Sequence, residues 1–213
     1  AYLNKDRDFS ELQYDYLDQN GSFNGNISNF ISDANIVESF QDQGFWMRDN
    51  RQLSNTYKGL QSITGAYAMA ELPLTKSLKS IFGVRFERTD ISVVSLNPTD
   101  QEGKVLTNDF LPSLNFIYAL NEKMNLRAGY SRTLARPTFR ELAPFASYMF
   151  AGDYVMVGNA NLTRSLIDNI DLRWEFYPGK GDVISASVFY KYFDMPIERS
   201  IDPRAQNTQI SFV

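Results

Sequence analysis

The chain has 213 residues, 21 Lys and Arg against 25 Asp and Glu, and neither Cys nor His. The two absences exclude a Ser-His-Asp triad, a Cys nucleophile, a His general base and Cys/His zinc or haem sites, leaving only carboxylate, Lys or Tyr chemistry open. A net charge of −4 with no clustered basic face excludes a nucleic-acid footprint, and no run of about 18 apolar residues offers a spanning helix. Hydrophobic residues at 43% and charged residues at 22% suit a folded chain. Aromatics reach 14%, as where rings pack on sheets or sit at membrane interfaces.

Ala1–Phe9 carries Lys5, Asp6, Arg7 and Asp8 and lacks the apolar core of a signal peptide. One strand fits this N-terminal region. Ser10 with Gln13 has the spacing of a capping box and predicts a short helix through Glu11, Leu12 and Tyr16. Asn20–Asn29 reads as loop, and Asp18-Gln19-Asn20-Gly21 lacks the spaced acidic ligands of a calcium loop. A helical turn is predicted from Asp33 to Gln41, with Ile36, Val37 and Phe40 on one side. No metal site is expected.

From Ser62 onward the signal is alternation with period two, which sends successive side chains to opposite faces of a strand. Ser62–Leu72 puts Ile63, Tyr67 and Met69 against Ser62, Thr64, Ala66, Ala68 and Ala70. Phe82, Val84 and Phe86 then oppose Arg85, Glu87 and Thr89. Phe110–Leu120 and Asn125–Leu134 keep Leu114, Phe116, Tyr118, Leu126, Ala128 and Tyr130 on one side, with Arg132 out of phase. Ile170, Leu172, Trp174 and Phe176 face away from Asp171, Arg173 and Glu175, and Ile184–Tyr192 opposes Val188 and Tyr190 to Ser185, Ser187 and Lys191.

Short turns at Pro73–Lys76, Asn121–Lys123 and Pro178–Gly181 alternate with long connections at 18–55, 96–108, 135–164 and 194–207. Short turns at one end and long loops at the other, joining strands of about ten residues with one greasy face, describe a transmembrane β-barrel. A soluble β-sandwich shares the alternation, which would make the chain a carbohydrate-binding module acting through loop aromatics; a small closed barrel of eight strands is a third reading. Charges of both signs in mid-strand suit a wet lumen, which would receive Arg85, Glu87, Arg127, Asp171, Arg173, Glu175 and Lys191. Aromatics toward the strand ends suit an interfacial girdle.

The stretch Ser131-Arg132-Thr133-Leu134-Ala135-Arg136-Pro137-Thr138-Phe139-Arg140-Glu141-Leu142-Ala143-Pro144-Phe145 resembles a loop signature of TonB-dependent outer-membrane receptors, especially those of Bacteroidetes-type bacteria. Gly158-Asn159-Ala160-Asn161-Leu162, Asp168–Tyr177, Ser185–Tyr192 and Pro196-Ile197-Glu198 follow in the order of that family, and Leu72-Pro73-Leu74 with Gly83–Glu87 resembles an earlier hairpin. Ala160 stands where the family often has Pro, and Thr163-Arg164 replace a frequent Lys-Pro. One N-terminal strand, six clear ones and a start at Thr208–Val213 give an all-β antiparallel meander of about eight strands, and the resemblance implies that it is part of a 22-stranded barrel. It implies a plug and further strands outside residues 1–213, an outer-membrane location, energy from a TonB coupling protein and a nutrient ligand of the siderophore, cobalamin or oligosaccharide class. No cofactor and no catalysis are implied.

Arg136, Arg140 and Glu141 lie in the long loop at 135–164. They either grip an anionic or hydroxyl-rich ligand or pair internally while Pro137 breaks the strand and Phe139, Leu142 and Phe145 pack the loop onto the rim. Tyr148, Phe150 and Tyr154 offer rings for stacking on a flat ligand or for loop packing. A carboxylate hydrolase would draw on Glu141 or Glu175, but Asp171 and Glu175 on one strand stand about 13 Å apart by strand rise, which disfavours a two-carboxylate glycosidase.

Overall fold

The computed structural model describes residues 1–18, 25–30, 32–33, 35–38, 44–51, 53–147, 154–179, 181–202 and 209–213. In chain order its elements are β1 (Tyr2–Ser10), β2 (Tyr14–Asp18), the helical turn α1 (Ile27–Phe30), β3 (Ile36–Val37), β4 (Phe45–Asp49), β5 (Thr56–Pro73), β6 (Leu78–Ser95), β7 (Gly103–Asn121), β8 (Met124–Ala135), the helical turn α2 (Phe139–Leu142), β9 (Ala146–Ser147), β10 (Val155–Val157), β11 (Ser165–Phe176), β12 (Ile184–Asp194), β13 (Arg199–Asp202) and β14 (Gln209–Phe212). Seven of them form one sheet in the order β1-β5-β6-β7-β8-β11-β12. Every neighbouring pair is antiparallel, so the sheet is an up-and-down meander. Among the described residues, no helix is long and apolar enough to cross a membrane.

Directly paired residues share a face, and the register carries the sequence alternation across the whole sheet. One row reads Ala70, Phe82, Leu114, Tyr130, Ile170, Tyr190. The adjacent row on the other face reads Ile81, Asn115, Gly129, Asp171, Phe189. Rings line the first face: Phe86 lies 5.1 Å from Phe110, and Trp174 lies 6.1 Å from Phe176. Strands β5 and β6 each run 18 residues, about 60 Å at strand rise, well beyond the about ten residues that an apolar band needs. The excess lies toward the long loops, where the outward positions turn polar with Arg88, Asp90 and Lys104.

The structure departs from the sequence expectations at several points. β1 runs through Ser10 and Tyr14–Asp18 pairs with β4, so the predicted helix at Glu11–Tyr16 is absent. Ile36–Val37 pairs in parallel with β4 instead of forming a helical turn, while Phe40 lies outside the described residues. β7 starts at Gly103, which leaves Leu96–Glu102 as the connection; Val105 and Leu106 extend the ladder because β6 offers Ile91 and Asp90 as partners. On β5, Tyr67 pairs with Arg85 and Ile63 with Thr89, so the apolar-looking side of that strand joins the charged face and the alanines join the apolar one. Arg132, as the alternation expects, is a polar residue on the apolar side, where its Nε and Nη2 donate to Asp168 at 2.8 and 2.9 Å beside the Tyr130 hydroxyl. Finally, β14 leaves the main sheet and pairs with β13 and, in parallel, with β10.

The buried core sits where the long loop after β8 folds back onto the charged face. Tyr57, Ile91, Val93 and Val105 from the strands meet Phe139, Leu142, Ala143, Phe145, Met156, Leu162 and Phe212 from the loops. Two glycines make the approach possible: a Cβ on Gly59 would lie 2.8 Å from the Phe139 ring, and one on Gly103 would lie 3.0 Å from the Leu142 Cβ. Gly59→Val therefore overpacks the site and is expected to destabilise the protein by about 1–3 kcal/mol. Denaturant titration of the purified full-length protein checks this, and a value near zero would show that the ring yields freely.

Candidate functional site

The charged face below the folded loop is the candidate site. Pro137 cannot continue the β8 ladder, so the chain turns there, and Thr138 caps α2. The Thr138 hydroxyl accepts from the Glu141 backbone N–H at 3.3 Å, and the Thr138 N–H donates to the Glu141 carboxylate at 2.7 Å. This reciprocal box consumes Glu141 locally. The loop then closes on itself, with the Asn159 N–H donating to the Glu141 carbonyl at 2.6 Å. Gly158 runs past the Ala143 carbonyl, leaving no room for a Cβ.

Arg136 and Arg140 are both held by the protein. The Arg136 Nη2 pairs with buried Glu87, which Arg85 also binds, and the Arg136 Nε donates to the Thr89 hydroxyl at 2.8 Å. The Arg140 Nη2 donates to the Met156 carbonyl at 2.6 Å, and its guanidinium lies 4.3 Å from the Phe145 ring centroid. Burial pushes the Arg140 guanidinium below its ordinary value, opposed by Tyr57 and Glu11. Tyr154 is exposed ahead of β10. Tyr148 and Phe150 lie outside the described residues.

The strand charges form two further groups. Glu175, 6% exposed, accepts from the Arg127 Nε at 2.8 Å and the Tyr177 hydroxyl at 2.9 Å, with the Arg173 Nε 3.0 Å away. Asp109, 4% exposed, accepts from the Arg164 Nε at 2.7 Å and the Thr107 hydroxyl at 2.8 Å. Asp171 and Lys191 stand exposed on the same face, opposite Gly129 and Asn169. A cavity of about 290 Å³ opens there, lined by Asn115, Arg127, Gly129, Ser131, Asp171 and Arg173 among others. Among the described residues, no group of His, Cys, Asp and Glu is placed to hold a metal ion.

Sequence reasoning singles out Glu87 and Arg136 but not their pairing, and it passes over Asp109 and Arg164. Arg164 registers only as a departure from the family pattern, and the 55 residues that separate it from Asp109 leave no local signal.

The outer membrane protein beta-barrel family model matches residues 4–212. The chain belongs to that family. It is therefore a β-barrel protein of the Gram-negative outer membrane. No curated protein matches the chain. Among solved structures it is similar to the siderophore receptor PirA from Pseudomonas aeruginosa, with 18% identity over 78% of this chain and 38% of that one and a TM-score of 0.49. It is also similar to a mutant of the ferric enterobactin receptor PfeA from the same organism in complex with enterobactin, with 16% identity over 82% of this chain and 33% of that one and a TM-score of 0.44. The chain spans about a third of the length of these receptors.

Arg164→Ala leaves Asp109 buried with the Thr107 hydroxyl as its remaining partner, and the expected cost is about 3–5 kcal/mol, because an uncompensated buried charge is far worse than no pair at all. Adding Asp109→Asn is expected to recover a large part of that loss. Equilibrium unfolding of both variants in detergent measures the difference, and equal stabilities for the two would show that Asp109 is not desolvated.

Proposed function

We propose that the chain is a stretch of the barrel wall of a TonB-dependent receptor, which imports a nutrient across the outer membrane and performs no reaction on it. The observation that carries this reading is the long loop folded back onto the charged face and fastened by Arg136 to Glu87. Such a loop narrows a wide lumen from the cell-surface end, as a receptor needs and a small filled barrel does not. In this reading Arg85, Glu87, Arg127, Asp171, Arg173, Glu175 and Lys191 face the lumen, and the remaining strands and the plug of a barrel of about 22 strands lie outside residues 1–213. Arg136, Arg140 and Glu141 hold the loop in shape, leaving Tyr154 as a described aromatic of that loop exposed to an incoming ligand. The ligand class is a ferric chelate, cobalamin or an oligosaccharide.

Two measurements test the reading. Cells making the full-length protein are offered a ferric catecholate, cyanocobalamin and a linear oligosaccharide; uptake of one is expected to stop on adding a protonophore while surface binding persists. Uptake that ignores the protonophore would sink the energy-coupled mechanism. For the orientation of the wall, Leu114→Arg puts a charge on the lipid side and is expected to cost about 2–4 kcal/mol in vesicles, whereas Ser113→Arg on the charged face is expected to be nearly neutral. The opposite order would invert the assignment of the two faces.

A further inference from the structure

The ladder between β7 and β8 stops at Ser113 opposite Ser131. On either side of that point the neighbouring ladders continue: β6 stays paired with β7 up to Gly103, and β11 stays paired with β8 up to Ala135. Pro112 marks the parting, since it has no N–H to give to either neighbour. Above it the wall carries a seam without paired backbone, spanned by the side chains of Arg136 to Glu87 and of Arg164 to Asp109. A cavity of about 400 Å³ is set into this seam, lined by Arg85, Glu87, Ser113, Ser131, Arg132, Arg136 and neighbouring residues, among them Thr133, whose hydroxyl accepts from Asn169.

The donors in this cavity outnumber its acceptors. Glu87 is its one carboxylate, and Arg85 and Arg136 both spend a nitrogen on it. The Nη atoms of Arg85 and the Nη1 of Arg136 make no hydrogen bond among the described residues, and neither do the hydroxyls of Ser113 and Ser131. Arg132 adds a third guanidinium, neutralised by Asp168 on the far side of the wall. Two cationic groups around one carboxylate leave an excess positive charge, and forked N–H donors beside hydroxyls are the chemistry that binds oxyanions.

We propose that the seam between β7 and β8 is a binding site for a phosphate-bearing group, seated on Arg85 and Arg136 with the hydroxyls of Ser113 and Ser131. The site stands on its own geometry and not on the transport reading. The phosphate comes either from a solute on the charged side of the wall or from the headgroup of an outer-leaflet glycolipid.

The test uses the full-length protein purified from outer membranes. Native mass spectrometry reads any retained phosphorylated glycolipid, and calorimetry with inorganic phosphate on delipidated protein reads a soluble anion. Either signal is expected to fall about tenfold or more in Arg85→Gln and to be partly restored in Arg85→Lys, because a point charge replaces half of what the fork supplies. Arg136 still pairs with Glu87 in these variants, and retention of the heat-modifiable folded band on gels is the check that they fold. A Lys191→Gln control, outside the cavity, is expected to bind like the parent. Retained glycolipid lost on Arg85→Gln assigns the lipid source, and phosphate binding without lipid assigns the solute source. Absence of both signals, or equal loss in Lys191→Gln, overturns the site.

Discussion

Glu87 is the point on which the wall and the loop depend together. Its carboxylate is desolvated, and a desolvated charge is tolerable only when it is paired and hydrogen-bonded. Arg85 on its own strand supplies one partner, but that pair alone would leave half of the carboxylate facing apolar loop residues. Arg136 supplies the other, and it reaches Glu87 only because Pro137 ends the strand and turns the chain over the charged face. The same turn sets α2 in place and brings Phe139 onto Gly59 and Leu142 onto Gly103. The pairing of Glu87 thus ties the packed loop to the wall.

The main sheet was legible because each of its strands serves two environments. A residue on one face meets lipid and a residue on the other meets water or a packed loop, so a one-residue slip would reverse every side chain. That constraint writes itself into the sequence as strict alternation from Phe82 to Tyr192. It is weakest on β5, where the alanines share the face of Phe86 and Tyr67 and Met69 share the charged one. The short strands in the first 49 residues were not legible at all. β2 pairs with β4 over about thirty intervening residues, and Ile36–Val37 becomes a strand only because Phe45–Trp46 lies beside it. Two- to five-residue strands carry too little periodicity to outvote a local capping pattern such as Ser10 with Gln13.

The candidate site divides in the same way. The arginine-rich stretch after β8 stood out by composition, and Pro137 as a breaker was visible in the sequence. The partners were not: Glu87 lies 49 residues from Arg136 and Asp109 lies 55 from Arg164. Nothing along the chain distinguishes a guanidinium waiting for a ligand from one already bound to a distant carboxylate. Gly158 and Asn159 could be read only as a loop end, although in the fold Gly158 has no space for a side chain and Asn159 ties the loop to the carbonyl of Phe212 at 3.0 Å.

That last contact joins two loops that are separate in sequence. β14 lies parallel to β10, Phe212 is buried with Leu142 and Phe145, and the Ser165 hydroxyl donates to the Met195 carbonyl at 2.5 Å. Parallel pairing between loop segments needs both paired segments, Val155–Val157 and Gln209–Ser211, in place at once. Polar groups that would otherwise answer to a ligand, including the guanidinium of Arg140 and the carboxylate of Glu141, are committed to holding this unit. The residues that make the loop recognisable in sequence, Arg136, Pro137, Glu141 and Gly158 among them, are therefore those that shape its described part.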